Sequence, residues 1–295
     1  MSELQPAPWR DFLREAERRL AQAGVGSPQV DARRIVERAG GFEPVELLGA
    51  LDQPAGRRAV GFFDQMLERR LAGEPLQYVL GRWGFRTLDL LVDRRVLIPR
   101  PETEIVVEHA LGELDRLAAA KQAPLVAVDL GTGSGAIALS LVAERSQVEV
   151  WATDASAAAL DVAGANLAGL GQPALRVHLA AGDWFEALPG DLAGTIDLVV
   201  SNPPYVAEGD ELPAEVAGWE PRAALVAGPA GTEALEHLLR EAPRWLARPG
   251  VIVVELAPWQ AEQMCRLAVE LGYPDTRVER DLAGRERVLV ARLNS

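Results

Sequence analysis

The sequence has 295 residues, a length typical of about two domains, and a formal net charge of −13. Its 48% hydrophobic and 25% charged residues are the proportions of a globular protein and exclude a disordered chain. No apolar run approaches the roughly 18 residues of a membrane span, and the start lacks the pattern of a secretory signal. A single cysteine, Cys265, excludes an intramolecular disulfide, so we expect a soluble, cytoplasmic protein with no membrane partner.

The first 75 residues have the periodicity of α-helices. Ser27-Pro28 is typical of a helix start, and the helix that it begins extends to about Arg38. Apolar residues at 45–48 and 62–71 predict two more helices. The first predicted helix has one apolar stripe, formed by Trp9, Phe12, Leu13, Ala16 and Leu20. We interpret residues 1–75 as a helical-bundle domain whose polar residues show no catalytic clustering.

Residues 76–101 break this helical pattern. Apolar side chains alternate over residues 83–92, which predicts a β-hairpin. The segment Ile98-Pro99-Arg100-Pro101 cannot be helical, because a residue before proline is driven to extended conformations. A helix is predicted to resume near Glu102. We therefore expect a structured hairpin linker over residues 76–101, followed by a catalytic domain over residues 102–295.

From residue 124 the sequence alternates short apolar strands with helices. Strands are predicted at 125–130, 148–153, 175–180, 196–201, 251–256, 276–280 and 288–293, and helices at 135–144, 156–169, 231–247 and 259–271. This alternation predicts an α/β fold with a doubly wound, mainly parallel sheet. Only a few residues join the final two strands, and such a tight connection requires an antiparallel last strand.

A glycine-rich loop follows the first strand of this sheet. Its residues, Gly131-Thr132-Gly133-Ser134-Gly135, allow the backbone to turn tightly and to approach a ligand closely. Asp154 ends the next strand, where an acidic side chain accepts hydrogen bonds from ribose hydroxyls. The pattern predicts a nucleoside cofactor, NAD or S-adenosylmethionine. The G-x-G-x-G spacing favours the latter, because no pyrophosphate has to be held.

A second segment extends this predicted cofactor site. Gly182-Asp183-Trp184-Phe185 follows the third strand, at the edge of the sheet where the base of the cofactor should lie. The carboxylate of Asp183 can accept from the exocyclic amine of adenine, and an aromatic ring can cover the base. We therefore predict that this segment binds the adenine.

The segment Asn202-Pro203-Pro204-Tyr205 follows the fourth strand and carries the predicted chemistry. Two prolines fix φ and remove two backbone donors, so this segment offers acceptors, to which Asn202 adds a side-chain carbonyl. Acceptors that converge on an NH₂ group can aim its nitrogen at a methyl donor, and Tyr205 can cover a planar group. We predict methyl transfer to a planar amide or amine nitrogen. The histidines and the cysteine have no metal-ligand spacing, so no metal is predicted.

These motifs together resemble class I S-adenosylmethionine-dependent methyltransferases that act on nitrogen. Four further segments resemble signatures of the PrmC/HemK family; they are residues 74–81, 96–104, 220–225 and 281–287. The resemblance implies a Rossmann-like catalytic domain that methylates N5 of the glutamine in the Gly-Gly-Gln motif of class I peptide chain release factors, in support of translation termination. It implies S-adenosyl-L-methionine as cofactor and S-adenosyl-L-homocysteine as product.

The resemblance also implies roles for individual residues. The cofactor would be bound by Gly131, Thr132, Gly133, Ser134, Gly135, Asp154, Asp183, Trp184 and Asn202. The catalytic, amide-holding residues would be Asn202, Pro203, Pro204 and Tyr205, with Arg100 and Glu102 near the substrate pocket. We expect the helical domain to recognise the protein substrate and the enzyme to be a monomer. One departure from the family is Ala257-Pro258, where a glycine is usual after the fifth strand.

Three alternatives to a release factor methyltransferase remain. Adenine N6 methyltransferases share the Asn202–Tyr205 motif, so DNA or RNA is the alternative substrate. Residues 101–295 carry 14 basic and 29 acidic residues, whereas residues 1–100 carry 16 and 14. Nucleic-acid binding favours a basic surface, so we expect no direct nucleic-acid contact. The intact motif disfavours a non-catalytic binding protein, and the loop spacing disfavours a dehydrogenase.

Overall fold

The computed structural model describes residues 7–121 and 124–294. They form two compact units, one ending at Arg82 and the other beginning at Trp83, so the division falls inside the segment predicted as a linker. Within these described residues, no helix combines the length and hydropathy of a membrane span.

The first unit is helical, as predicted. Three of its helices pack around a core that includes Leu20, Ile35 and Leu67. Pro28 takes the first helical position after Ser27, whose hydroxyl donates to the Asp31 carboxylate at 3.2 Å instead of capping the backbone. The helices are α1 (Trp9–Gln22), α2 (Pro28–Gly40), α3 (Leu47–Ala50), α4 (Arg57–Leu71) and α5 (Leu76–Leu80).

Helix α5 was not predicted, because the local sequence shows too few turns of helical periodicity. Its position depends on an arginine from α4. The Arg69 guanidinium donates to the Glu74 carboxylate at 2.7 and 2.8 Å, and to the carbonyl oxygens of Tyr78 at 2.8 Å and Val79 at 3.2 Å. The Glu74-to-Gly81 signature is therefore, in this structure, a short helix pinned to α4.

The second unit begins with the predicted hairpin and continues as an α/β fold. The hairpin strands are β1 (Arg82–Phe85) and β2 (Leu88–Leu91), and two very short strands, β7 (Val206–Ala207) and β8 (Val226–Gly228), form a separate pair. The helices are α6 (Pro101–Ala118), α7 (Ala136–Glu144), α8 (Ala157–Ala168), α9 (Ala214–Trp219), α10 (Glu233–Trp245) and α11 (Ala261–Glu270). The strands of the large sheet are β3 (Leu125–Leu130), β4 (Val148–Asp154), β5 (Val177–Ala181), β6 (Ile196–Ser201), β9 (Leu246–Glu255), β10 (Asp275–Arg280) and β11 (Glu286–Leu293).

The sheet order is β10-β11-β9-β6-β3-β4-β5. Strands β5, β4, β3, β6 and β9 pair in parallel, whereas β11 is antiparallel to both β9 and β10. This confirms the doubly wound sheet and the antiparallel last strand. The chain leaves β3 toward β5 and then returns to β6 on the other side of β3. Ligands bind beside such a reversal, at the carboxyl ends of the strands.

Both faces of the sheet are covered by helices. In β3, Ala127 faces the core that includes α6 and α7, whereas Val128 and Leu130 face the core that includes α10 and α11. Strand β9 alternates in the same way, with Val253 on one face and Val254 on the other. Strands buried on both faces are near-continuous apolar runs, which is why the sequence predicted them well.

Candidate active site

A cavity of about 530 Å³ lies at the carboxyl edge of the sheet, where β3 and β6 meet. Seven residues of the sequence-predicted site line it: Gly131, Gly133, Asp154, Asp183, Trp184, Asn202 and Pro204. The structure thus brings together segments from the ends of four strands, in the place that the reversal of strand order predicts.

The glycine loop reaches the cavity with two of its five residues. Gly131, Gly133 and Gly135 have φ of +73°, +56° and +85°, a left-handed region that strongly favours glycine. The amides of Gly131 and Thr132 both donate to the Thr153 carbonyl at 2.9 Å, which ties the loop to β4. Thr132 and Ser134 are buried and, like Gly135, do not line the cavity. These three residues therefore contribute to the conformation of the loop and not to the surface of the cavity.

Asp129, just before this loop, is fully buried and was given no role by the sequence reasoning. Its Oδ2 accepts from the Thr132 hydroxyl at 2.6 Å and from the Ala138 amide at 3.1 Å. Its Oδ1 is buried without a hydrogen-bond partner among the described residues. Burial raises the pKa of Asp129 to about 7, against the opposing effect of these two donors.

Asp154 holds the loop and faces the cavity at the same time. Its Oδ2 accepts from the Gly133 amide at 2.9 Å, and its Oδ1 accepts from the Ser156 amide at 2.8 Å. Each carboxylate oxygen has two lone pairs, so both can still accept a further hydrogen bond. A carboxylate fixed in this way is suited to two neighbouring hydroxyl groups, as on a ribose.

Trp184 forms the wall beside the glycine loop. A side chain at Gly131 would place its Cβ 3.6 Å from the Trp184 ring, so the absence of one leaves room between loop and indole. Trp184 itself has a φ of +43°, a conformation uncommon outside glycine. Phe185 is buried and stacks on Trp245 at 5.8 Å. Of the two adjacent aromatic residues, Trp184 therefore lines the cavity and Phe185 belongs to the core.

Asn202 and Pro204 reach the cavity, whereas Pro203 is buried beneath them. The Nδ2 of Asn202 donates to the Thr103 hydroxyl at 3.1 Å. Its Oδ1 accepts no hydrogen bond from the described residues, which leaves an acceptor free at the cavity. Tyr205 is mostly enclosed, and burial raises the pKa of its phenol to about 12, so the phenol is protonated at neutral pH.

Arg100 and Glu102 do not line the cavity, although their neighbours at 95–97 do. Arg100 pairs with Glu220, and the other oxygen of Glu220 accepts from the Ile98 amide at 3.1 Å. Glu102 accepts from Arg285 at 2.9 Å. The signature around residue 220 thus contacts the segment before α6, and the signature at 281–287 contacts the first turn of α6. The substrate roles of Arg100 and Glu102 stay predictions.

The departure at Ala257-Pro258 is accommodated by a glutamine. Gln260 is fully buried; its Oε1 accepts from the Ala257 amide at 2.8 Å, and its Nε2 donates to the Gly231 carbonyl at 2.7 Å. This side chain fixes the turn that follows β9, next to the loop that leads into α10.

Part of the cavity lining was not foreseen in any role. It includes the start of α10, with Glu233 and His237, and the segment from Pro221 to Ala227. His237 lies 6.4 Å from Trp184, ring centre to ring centre. The sequence did mark residues 220–225 as one of the family signatures. A signature alone does not show that its residues line the cavity. In the part of the chain that the structure describes, no three His, Cys, Asp or Glu side chains form a metal-binding group.

Comparisons with known sequences divide the chain in a similar way. A family described as the PrmC N-terminal domain matches residues 11–81, and one described as the methyltransferase small domain matches residues 114–217. A release factor glutamine methyltransferase from Xylella fastidiosa is 41% identical over 265 residues, which are 90% of this chain and 93% of that protein. One from Cereibacter sphaeroides is 40% identical over 290 residues, or 96% and 98%.

A solved structure supports the fold. The crystal structure of a methyltransferase from Pyrococcus furiosus covers 77% of this chain and 98% of its own, with a TM-score of 0.52 and 19% identity. With the strand order and directions given above, this similarity confirms the predicted class I, Rossmann-like methyltransferase fold.

Proposed function

The chain belongs to the release factor glutamine methyltransferase family, and we propose that it transfers a methyl group from S-adenosylmethionine to the side-chain amide nitrogen of a glutamine in a class I peptide chain release factor. By the family resemblance, this glutamine is the one in the Gly-Gly-Gln motif. The second product is S-adenosylhomocysteine. We propose the cytoplasm as its compartment, which the single cysteine favours.

One arrangement carries this proposal: Asn202 and Pro204 line the same cavity as Gly131, Asp154 and Trp184. A direct transfer needs the donor and the acceptor held against each other, and such positioning accounts for a large part of enzymatic rate enhancement. The shared cavity offers both cofactor-binding and amide-accepting groups.

The described residues fit the proposed cofactor. The cavity of about 530 Å³ lies within the range of about 300–1,000 Å³ that is usual for small-molecule sites. Asp154 would accept from the ribose hydroxyls, Trp184 would cover the adenine, and Gly131 leaves room for the backbone to approach the ligand. When bound, S-adenosylmethionine supplies a methyl group on a positively charged sulfur.

The acceptors of the Asn202–Tyr205 segment suit an amide nitrogen. The lone pair of such a nitrogen is delocalised into the carbonyl, so the nitrogen attacks poorly unless it is held and polarised. Asn202 Oδ1 and one carbonyl of the Pro203-Pro204 pair would accept its two hydrogens, orient the nitrogen and stabilise the positive charge that develops on it. When the nitrogen gains the methyl group from sulfur, one of these hydrogens leaves as a proton and passes to water. Tyr205 does not line the cavity, and its phenol stays neutral at neutral pH.

The proposal is tested by methyl transfer with labelled S-adenosylmethionine and the full-length chain. We offer a purified class I release factor, the same factor with the Gly-Gly-Gln glutamine replaced by alanine, and, separately, DNA and RNA. We expect label on the intact factor alone. Label on nucleic acid and not on the factor would establish the adenine methyltransferase alternative. Label on both versions of the factor would place the methyl group on another residue.

Asn202→Ala tests the residue on which the chemistry depends most. Its loss removes an acceptor that positions the nucleophile, and misplacement of that kind costs roughly 10²-fold in kcat. The measurement is kcat with saturating release factor and cofactor, with thermal unfolding of the variant as a check on its fold. A folded Asn202→Ala variant with the wild-type kcat would remove Asn202 from the mechanism.

A further inference from the structure

Thr103, in the first turn of α6, links Asn202 to a buried carboxylate. Asn202 Nδ2 donates to the Thr103 hydroxyl at 3.1 Å, and this hydroxyl donates to Oε2 of Glu255 at 2.7 Å. Thr103 is 3% exposed and Glu255 is 1% exposed. Asn202 lines the cavity, but the other two residues do not. The side chains therefore form a chain that starts at the cavity and ends in the interior.

The carboxylate fixes the direction of these hydrogen bonds. An ionised carboxylate has no hydrogen to donate, so the Thr103 hydroxyl must donate to Glu255. The hydroxyl has only one hydrogen, so toward Asn202 it can only accept. Asn202 must therefore turn its Nδ2 toward Thr103 and its Oδ1 away from it. Without Glu255, the hydroxyl could equally donate to Asn202 Oδ1, and the amide could turn round.

Glu255 lies where it can act on both ends of the Asn202–Tyr205 segment. It ends β9, and β9 pairs in parallel with β6, the strand that precedes Asn202. Burial raises the pKa of Glu255 to about 7; hydrogen bonds from Thr103 and Tyr205 and the charge of Arg287 lower it, and the charge of Glu102 raises it. The phenol of Tyr205, the last residue of the segment, thus also lies within electrostatic reach of Glu255.

Neither Thr103 nor Glu255 is placed to touch a substrate. Asn202 separates Thr103 from the cavity, and Thr103 separates Asn202 from Glu255. A general base has to reach the proton that it removes, directly or through one water. What the two residues can do is hold Asn202.

We propose that Thr103 and Glu255 are positioning residues for methyl transfer, which hold the Asn202 amide with Oδ1 toward the cavity. This inference rests on the proposed function, because the orientation matters only if an NH₂ group has to be held there. An Asn202 turned the other way would present two donors to the hydrogens of the substrate amide. The substrate would then be repelled where it should be gripped.

The test uses three variants of the full-length enzyme, with release factor and S-adenosylmethionine as substrates. Thr103→Val removes the hydroxyl at nearly the same volume. Glu255→Gln keeps the shape but adds a donor, so the direction of the hydrogen bonds is no longer fixed. We expect each to lower kcat at least ~10-fold, because a misdirected acceptor misplaces the nucleophile. Thr103→Ser keeps the hydroxyl, and we expect it to retain most of the activity.

Matched controls separate positioning from general destabilisation. Thr276, half-buried in β10, donates to one backbone carbonyl at 3.0 Å, so Thr276→Val repeats the Thr-to-Val change away from the cavity. Glu113, buried in α6, is bonded by Arg116, Arg277 and Arg292, so Glu113→Gln repeats the buried Glu-to-Gln change. We expect both controls to lower thermal stability and to keep kcat within about 2-fold.

The dependence of kcat on pH gives a readout that a merely structural role would not change. A protonated Glu255 gains a donor, as the glutamine does, so wild-type kcat should fall below pH of about 7. The charged and titratable groups that face Glu255 are Arg287, Glu102 and Tyr205. Glu255→Gln removes the titrating group, so its lower kcat should lack this acid limb. The same acid limb in the glutamine variant would overturn the inference.

The outcomes distinguish the inference from the function on which it rests. If the wild-type enzyme does not methylate the release factor, the proposed function fails. If the wild type is active, and if Thr103→Val and Glu255→Gln both fold and have the kcat of the wild type, the inference alone fails. If Thr103→Val does not fold, the comparison of Thr103→Ser with Glu255→Gln tests the inference instead. An active serine variant together with an impaired glutamine variant supports the inference. Equal activities of these two variants overturn it. Binding of S-adenosylmethionine should change by less than about 3-fold in all variants; a parallel loss of binding and kcat would assign the two residues to the cofactor site.

Discussion

Gly131 lies where a side chain would change both the backbone and the cavity. Its φ is +73°, and a Cβ there would lie 3.6 Å from the Trp184 ring. For Gly131→Ala we expect a loss of stability of about 1–2 kcal/mol, from the left-handed backbone. We also expect the Kd for S-adenosylmethionine to rise roughly 10-fold, because the methyl group narrows the gap between loop and indole. Calorimetric titration measures the Kd.

Gly24 provides the matched control for this substitution. It has a φ of +78° and nothing within 4 Å of a Cβ, and it lies in the first unit. Gly24→Ala should therefore lose a similar free energy of unfolding and leave the Kd unchanged. An equal rise of the Kd in both alanine variants would show that lost stability, and not the cavity wall, weakens binding.

Asp129 should make stability depend on pH. Burial raises its pKa from 3.8 to about 7, so the folded chain binds this proton more tightly than the unfolded chain. Asp129 therefore makes its whole contribution to the free energy of unfolding below pH of about 4, and this contribution is lost as pH rises to about 7. At about 1.4 kcal/mol per pKa unit, the loss is of the order of a few kcal/mol.

Asp129→Asn tests this dependence, because asparagine keeps an oxygen for Thr132 and Ala138 and cannot titrate. We expect denaturant unfolding between pH 4 and 8 to give a flatter stability profile for the variant than for the wild type. Asp191→Asn, an exposed change, should leave the wild-type profile intact. A variant profile as steep as that of the wild type would assign the pH dependence to other groups, of which Glu255 is the first candidate.

Single residues were predictable where chemistry is contained in one short segment. The glycine loop, Asp154, Trp184 and the Asn202–Tyr205 segment each combine a strand end with an informative residue type. The contact of Thr103 with Glu255 joins residues 152 positions apart in the chain, and the sequence alone carries no sign of that pairing. Asp129 lies inside the predicted strand over 125–130, but the lack of a hydrogen-bond partner for its Oδ1 follows from burial, which one sequence does not give.

At the scale of elements, α3 and the turn before it carry the most exposed large apolar side chains of the first unit. Val45 is 88% exposed and Leu48 is 77% exposed. Exposed large apolar side chains occur at protein-binding surfaces, so we expect these two to contact the release factor. For the double variant Val45→Asp, Leu48→Asp we expect the KM for release factor to rise roughly 10-fold, with the Kd for S-adenosylmethionine unchanged.

Leu175 offers the corresponding control in the second unit. It is 83% exposed and precedes β5, at the opposite edge of the sheet from the cavity. Leu175→Asp should leave KM and kcat at their wild-type values. If the Val45→Asp, Leu48→Asp variant also keeps the wild-type KM, this surface has no part in recognition of the substrate.

Elements were predictable where periodicity extends over several turns or over a whole buried strand. Strands β3, β4 and β6 were expected within a residue of their observed ends. Helix α5 was missed, because five residues held by Arg69 and Glu74 show too little periodicity. The expected strand over 251–256 begins five residues earlier, at Leu246, because Arg248, Pro249 and Gly250 interrupt the apolar pattern before residue 251.

At the scale of the whole molecule, the class of fold followed from the alternation of elements, but the order of strands did not. Alternation is a local property, whereas the order depends on which strands pair across long stretches of chain. The acidic balance of residues 101–295 is likewise a property of the whole surface. It disfavours a nucleic-acid substrate without indicating which residues meet a protein one.

The place of β11 in the sheet has a consequence for the synthesis of this protein. It is the last strand along the chain, yet it lies inside the sheet, between β10 and β9. A ribosome that has made β9 must still make β10 and β11 before the open edge of β9 is covered. During that interval a row of unpaired backbone groups is exposed, and such edges invite pairing with another chain. We expect nascent chains that end before Glu286 to need the protection of a chaperone, even though all of the cavity-lining residues have by then been made.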